Sequence, residues 1–104
     1  MGKPVMVILR FRLHDRMRDE HDRLHAQLDQ VAAASLPGYL GRTTYRLDDG
    51  QKLAVFRFTD MDALDAWRRH PAHVEAKTRG REFYSDVSVL VTQLIEEYGF
   101  AVDE

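Results

Sequence analysis

The chain has 104 residues, contains no cysteine and carries a formal net charge of -2 at pH 7. This length predicts one domain with its own hydrophobic core and leaves no room for a separate cofactor domain. The absence of cysteine excludes disulfides, thiolate nucleophiles and cysteine-based metal sites. Because both signs of charge are interspersed along the chain, no basic face is available for a phosphate backbone, and we expect no nucleic-acid partner.

The amino-terminal segment is predicted to form a strand. The odd positions of Val5–Leu13 are all apolar, a period-two pattern typical of a strand. The same apolar run is short and is interrupted by Arg10 and Arg12, so it predicts neither a signal peptide nor a membrane span. We therefore expect a cytoplasmic protein with no membrane association.

A long helix and a hairpin are predicted next. Over Asp15–Ser35 the apolar positions step by three and four, the period of an amphipathic helix, and Pro37 and Gly38 end it. Two strands, Tyr39–Leu47 and Lys52–Phe58, then follow on either side of "DDG". Because the connection is short and rich in turn residues, these strands are predicted to pair as a hairpin.

The second half of the chain predicts a broken helix and a final strand. The segment "TDMD" supplies an N-cap, after which a second helix presents Leu64 and Trp67 on one face. His70 and Pro71 are expected to break or kink this helix, because proline suits only a first helical turn. Gly80 is predicted to end the renewed helix before a strand over Asp86–Leu94.

The resulting order, β-α-β-β-α-β, predicts a ferredoxin-like α+β sandwich in which both helices cover one face of a four-stranded antiparallel sheet. The domain is expected to span residues 1–104, with a core over about 5–95 and an extension over 96–104. A second copy of the sheet is expected to cover the other face, giving a homodimer with a cavity between the sheets. The apolar residues assigned to this second face are Met6, Ile8, Ala54, Phe56, Phe58, Leu90 and Leu94.

The stretch "FTDMDALDAWRRHPAHVEAKTRGREFY", a valine-rich strand and "EEYGF" resemble the antibiotic biosynthesis monooxygenase family. The resemblance spans roughly Val5–Phe100 and implies a dimeric α+β barrel. Similar proteins include cofactor-free oxygenases of aromatic polyketides, haem-degrading enzymes, quinol oxygenases and aldehyde-handling proteins. The fold is therefore better specified than the chemistry.

An oxygenase would need a base, an apolar wall and hydrogen-bond donors near its substrate. Trp67 is a candidate wall and donor, while His70 and His73 are candidate bases because imidazole titrates near neutral pH. The simpler alternative assigns Trp67 to the core, His70 to the helix break and His73 to a local hydrogen bond.

Four further residues are candidate substrate contacts: Arg10, Phe56, Phe58 and Tyr84. Arg10 is placed on the second face of the sheet, where it either holds an anionic ligand or forms an ion pair across the dimer with an acid such as Asp86. Ion pairing is the expected role. Tyr84 offers a phenolic hydroxyl, although strand tyrosines usually pack with the hydroxyl reaching water.

No metal or other cofactor is expected. The segment "HDRLH" places His21 and His25 at helical spacing, as in metalloproteases, but Asp22 stands where their glutamate base would be and no third ligand is evident. His21 falls on the buried stripe of the helix, and the expected alternative is a helix histidine satisfied structurally at the sheet edge. The haem-degrading relatives carry a ligating histidine ten residues after the helix tryptophan, where this chain has Lys77, so haem degradation is disfavoured.

These observations predict a homodimeric, cofactor-independent monooxygenase that oxidises a small aromatic or quinol-like substrate with molecular oxygen. The alternative is a non-enzymatic dimeric protein that binds a small apolar ligand or serves an accessory role. A cavity with a titratable base facing it favours the enzyme, and a filled cavity favours the alternative.

Overall fold

The computed structural model describes residues 2–102, which form one four-stranded antiparallel sheet with helices on one side. The strands follow the order β2-β3-β1-β4 across the sheet. This arrangement confirms the predicted ferredoxin-like fold class. The elements in chain order are β1 (Val5–Leu13), a short 3₁₀ turn (Asp15–Met17), α1 (Arg18–Ser35), β2 (Tyr39–Arg46), β3 (Lys52–Phe58), α2 (Met61–Arg69), α3 (Pro71–Phe83) and β4 (Tyr84–Gln93).

The break between α2 and α3 lies at His70, as predicted. His70 has an extended backbone, its Nδ1 accepts a hydrogen bond from the N–H of Ala72, and Pro71 occupies the first helical position. The prediction that Gly80 ends this helix is wrong. The helix continues to Phe83, because an interior glycine costs only about 1 kcal/mol relative to alanine and packing outweighs that cost. The last strand consequently begins at Tyr84, two residues earlier than predicted.

The main core lies between the helices and the sheet. Its buried cluster comprises Val5, Ala32, Phe58, Leu64 and Trp67. The assignment of Ala54, Phe56 and Phe58 to the opposite face of the sheet is wrong. They pair with Leu9, Val7 and Val5 of β1, respectively. Residues directly opposite in an antiparallel pair share a face, so all three aim toward the helices.

The second face of the sheet is nevertheless apolar. The strand registers place Met6, Ile8, Leu53, Val55 and Leu90 there. No helix among the described residues packs on this side, and Leu90 is 59% exposed. A monomer therefore presents a broad apolar surface to water.

The edge strand β4 is uncovered on its other face as well. Val87, Val89 and Val91 point to the helical side, yet each remains more than 40% exposed. The reason is that α1 packs over β2 and α2 over β3, away from this edge. No helix within residues 2–102 is long and apolar enough to cross a bilayer.

Candidate functional site

A small pocket lies between α1 and the helical face of the sheet. Its volume is about 210 Å³. Such a space exceeds the ~150 Å³ cavity that accommodates benzene in another protein, but it is smaller than most drug-sized ligand sites. It suits one aromatic ring. The pocket is lined by Phe11, His21, Asp22, His25, Arg42, Thr44, Lys52 and Ala54.

The helix α1 contributes two histidines to this pocket. His21 and His25 are separated by four residues and therefore point from the same side of the helix. Their rings stack with centroids 4.0 Å apart and planes inclined by 30°. His21 is buried at 3% exposure, against Phe11 of β1 and Phe83 of α3. His25 is half-buried beside it.

Tyr84 joins the two histidines from the start of β4. Its hydroxyl lies 3.4 Å from Nε2 of His21 and 3.4 Å from Nε2 of His25, so both contacts are long hydrogen bonds. Nδ1 of His21 lies 3.2 Å from a carboxylate oxygen of Asp22. If Nδ1–H of His21 donates to Asp22, its Nε2 accepts from Tyr84, whose oxygen then accepts from His25 Nε2–H. This pattern leaves the lone pair of His25 on Nδ1.

Burial keeps these groups neutral. Desolvation, followed by the nearby charges of His21 and Arg42, lowers the pKa of His25 from 6.5 to about 3. Desolvation also lowers the pKa of His21, although its contact with Asp22 opposes the shift. It raises the pKa of Tyr84 to about 12. At neutral pH the cluster therefore holds neutral imidazoles and a neutral phenol.

A β-bulge brings a cation to the opposite wall of the pocket. Tyr39 pairs with Phe58, but Gly41 pairs with Arg57, so Leu40 is an extra residue in β2. Gly41 has φ +122°, which side-chain-bearing residues rarely adopt. In a regular strand, residues three apart point to opposite faces, so Arg42 would face away from the side that Tyr39 faces. The extra residue of the bulge reverses this alternation and places Arg42 on the helical side.

Lys52 supplies a second cation to the pocket. Its side chain is 20% exposed, and its Nζ lies 3.8 Å from a carboxylate oxygen of Asp22. Arg42 differs from the other half-buried arginines, since Arg10 and Arg79 pair with Asp86 and Glu20. Within the described part of the chain, Arg42 has no carboxylate within ion-pair distance.

The helix-break residues lie near this cluster. Trp67 is 7% exposed and belongs to the core, with the rings of His70 and His73 each 5.3 Å from its ring. His70 is engaged as the N-cap of α3. Nδ1 of His73 is buried and has no hydrogen-bond partner within residues 2–102, and His73 contributes to the lowered pKa of His25. The catalytic roles assigned to these three residues remain predictions.

The candidate substrate contacts are dispersed. Arg10 pairs with Asp86 of the same chain at 3.3 Å on the second sheet face. Phe58 is fully buried in the core, and Phe56 packs at its margin. Tyr84 alone reaches the histidine cluster. The binding roles of these residues likewise remain predictions.

The rest of the described structure offers no comparable site, either for a metal ion or for an aromatic ring. No group of three or more His, Asp or Glu side chains within residues 2–102 is arranged to hold a metal ion. A larger groove of about 490 Å³ lies between α1 and α3, near the Glu20–Arg79 ion pair. This groove is open to solvent and contains no histidine or aromatic ring.

Comparison with known proteins agrees with the fold. A model of the family described as "Antibiotic biosynthesis monooxygenase" matches residues 4–79. The chain belongs to this family. The chain is also similar to the uncharacterized protein YqjZ of Bacillus subtilis (strain 168), with 38% identity over 63 residues, which are 60% of this chain and 55% of YqjZ. The chain thus matches only about half the length of that relative.

Solved structures of similar fold span nearly the whole monooxygenase-family domain. Rv0793 of Mycobacterium tuberculosis superposes with a TM-score of 0.80 at 23% identity, covering 92% of this chain and 99% of Rv0793. The N63A mutant of SnoaB, a cofactor-independent oxygenase of Streptomyces nogalater, has a TM-score of 0.78 at 20% identity, covering 92% and 97%. At these identities the likeness establishes the fold alone.

The sequence predicted no metal site in "HDRLH" and a structural role for a histidine there, but it did not predict the residue that joins the two histidines. The structure brings His21 and His25 together with Tyr84, 59 residues beyond His25. Arg42 was not considered at all, because a period-two pattern gives no sign of the bulge. The sequence signal for the pocket was His21 on the apolar stripe of α1, because an ionisable side chain is uncommon at a buried helix position.

Proposed function

We propose that this protein is a cofactor-independent monooxygenase that oxidises a small phenolic or quinol-like substrate with molecular oxygen. The observation that carries the proposal is a one-ring pocket in which the neutral His25 faces the cations Arg42 and Lys52. Family membership and the fold shared with a cofactor-independent oxygenase support it. The rival is a binding protein that holds the same ring without oxidising it.

In this mechanism His25 is the base that takes the phenolic proton. A pKa of about 3 describes the imidazolium in the empty pocket, where burial and nearby cations oppose its charge. A bound phenolate would lie next to that imidazolium and raise the pKa of His25 by Coulomb attraction. Proton transfer inside the pocket thus creates an ion pair, and Arg42 and Lys52 stabilise its negative member.

The phenolate then supplies the electrons that oxygen requires. One electron passes from the ring to oxygen, and the resulting radicals combine at a ring carbon bearing hydrogen. Loss of water from the peroxide breaks the O–O bond and the C–H bond and leaves a carbonyl. For phenol the balance is phenol plus oxygen giving benzoquinone plus water, so the reaction needs no external reductant.

His73 is the second candidate base. Its buried Nδ1 has no hydrogen-bond partner in the part of the chain that the structure describes, and burial lowers the pKa of His73. A neutral imidazole with an unused nitrogen can accept a proton as well as His25 can. His25 is preferred because it lines the pocket itself.

The decisive assay is oxygen uptake with a panel of phenols, hydroquinones and anthrones. Wild type should oxidise single-ring members, incorporate one atom of isotopically labelled oxygen and release no peroxide. His25→Gln should lower kcat by about 10² or more. The exposed His14→Gln serves as the matched control, and His73→Gln tests the second base.

Four outcomes decide among the alternatives. Full activity in a folded His25→Gln variant would refute His25 as the base, and loss of activity only in His73→Gln would move that role to His73. Release of hydrogen peroxide would show that the protein is an oxidase and not a monooxygenase. Tight binding of the panel without oxidation above the buffer rate would favour the binding protein.

We also propose a homodimer in which the second sheet face is buried. Its support is the apolar surface formed by β1, β3 and β4, which no helix covers among the described residues. A second copy of the same face is the partner of matching chemistry, because a two-fold axis buries one patch against itself. Light scattering tests the assembly, and a stable monomer at micromolar concentration would refute it.

A further inference from the structure

The lining of the pocket carries a net positive charge that a neutral phenol would leave unpaired. Arg42 and Lys52 are both positive, and Asp22 is the only carboxylate among the lining residues. Asp22 lies 3.8 Å from Lys52 and also bonds His21, so it offsets the lysine. The charge of Arg42 is left without a counterpart, which gives the pocket one uncompensated positive charge.

The placement of Arg42 is unusual for an arginine without an ion pair. Several arginines of this chain have no carboxylate partner within residues 2–102, such as Arg57 and Arg69, but these are exposed to water. Arg42 is half-buried, and a strand bulge is required to put it on the pocket side. A half-buried guanidinium is costly unless an anion or several hydrogen bonds satisfy it.

We propose that the substrate is a phenol or hydroquinone whose ring carries a carboxylate, and that Arg42 binds this carboxylate. This inference rests on the proposed function for the identity of the ring. A guanidinium presents paired N–H donors that match the two oxygens of a carboxylate. One uncompensated charge fits a monoanion, whereas a phosphate monoester carries nearly two negative charges at neutral pH.

The same contact fixes the orientation of the ring. Arg42 lies on β2, while His21 and His25 lie on α1 across the pocket. A carboxylate held by Arg42 therefore directs the opposite side of the ring toward the histidines. Arg42 thus determines specificity, and His25 acts on the hydroxyl.

The test measures binding without oxygen, so that it does not depend on turnover. Gentisate, its neutral amide gentisamide and hydroquinone are titrated calorimetrically into the protein under anaerobic conditions. Gentisate should bind at least about tenfold more tightly than gentisamide, because a charge-assisted bidentate contact is lost in the amide. Arg42→Gln should remove this difference, so that gentisate and gentisamide bind with similar affinity.

Arg69→Gln is the matched control, since it removes one exposed arginine from the end of α2 and should preserve the preference. Arg42→Lys should retain only part of it, because lysine keeps the charge without the planar fork. Circular dichroism and a thermal melt verify that each variant is folded.

Equal affinities for gentisate and gentisamide would overturn the inference, as would a preference that survives in Arg42→Gln or the absence of gentisate binding. The failure of the proposed function is distinguishable. If gentisate binds through Arg42 but is not oxidised in air, the monooxygenase is wrong and the carboxylate site stands. If hydroquinone is oxidised but gentisate has no advantage, the carboxylate site is wrong and the monooxygenase stands.

Discussion

Acidification should destabilise this fold, because His25 is buried as a neutral imidazole. An unfolded chain takes up a proton on His25 near pH 6.5, whereas the folded chain does so only near pH 3. The folded pKa is depressed, so the stability is fully present above pH 6.5 and falls as the pH approaches 3. From about pH 7.5 to 5 the loss for this histidine alone is about 2 kcal/mol.

The magnitude at pH 5 depends little on the folded pKa. Any folded pKa of about 4 or below leaves His25 almost unprotonated at pH 5, so the unfolded state determines the loss. Desolvation also lowers the pKa of His21 and of His73, so their contributions have the same sign. Wild type should therefore lose more than about 2 kcal/mol over this range.

The assay is urea unfolding followed by far-UV circular dichroism at several pH values and one fixed protein concentration. His25→Gln should reduce the loss between pH 7.5 and 5 by about 2 kcal/mol relative to wild type. His14→Gln controls for removal of an exposed histidine. If His25→Gln and wild type lose equal stability on acidification, His25 is not held neutral by burial and the account of the cluster is wrong.

Four further perturbations test the fold and assembly. Trp67→Ala should cost about 3–5 kcal/mol in urea unfolding, because the ring is nearly fully buried; a cost below about 1 kcal/mol would contradict that packing. His70→Ala should cost about 1 kcal/mol and increase hydrogen exchange at the start of α3, and unchanged exchange would argue against the cap. Leu90→Lys should convert the proposed dimer to a monomer in light scattering, because it places a charge on the apolar face. A variant that remains dimeric would show that the dimer uses another surface. Gly41→Ala should cost about 1–3 kcal/mol through its positive φ alone, since an added Cβ meets no atom of residues 2–102 within 4 Å. A neutral effect would contradict the bulge.

The regular elements could be predicted because their signals are local. Alternating apolar residues identified β1 with its observed bounds, the turn residues "DDG" located β3 beside β2, and His70–Pro71 identified the break between the helices. Gly80 was misleading because glycine ends a helix reliably only where the backbone turns left-handed. Within residues 2–102, only Gly41 and Gly50 have a positive φ, so Gly80 lacks the left-handed conformation that ends a helix.

The faces of β3 could not be predicted from its own residues. Its sequence "KLAVFRF" places Leu53 and Val55 on one side and Ala54, Phe56 and Phe58 on the other. Both sides are therefore apolar, and alternation cannot tell which one meets the helices. The register against β1 decides, and that register depends on residues more than 40 positions away.

The pocket is formed by residues that depart from local rules, which is why it was the least predictable part of the molecule. His21 is a polar residue on a buried helical stripe, and Arg42 reaches the pocket only through an irregular strand. The first departure buries a polar ring that needs hydrogen-bond partners, and the second interrupts the ladder of β2 at Leu40 and Gly41. Packing alone would be served as well by a leucine at position 21 and a regular β2. Since both departures converge on one small cavity, we infer that they are retained for the chemistry of a ligand, as strained or poorly solvated positions commonly are at functional sites.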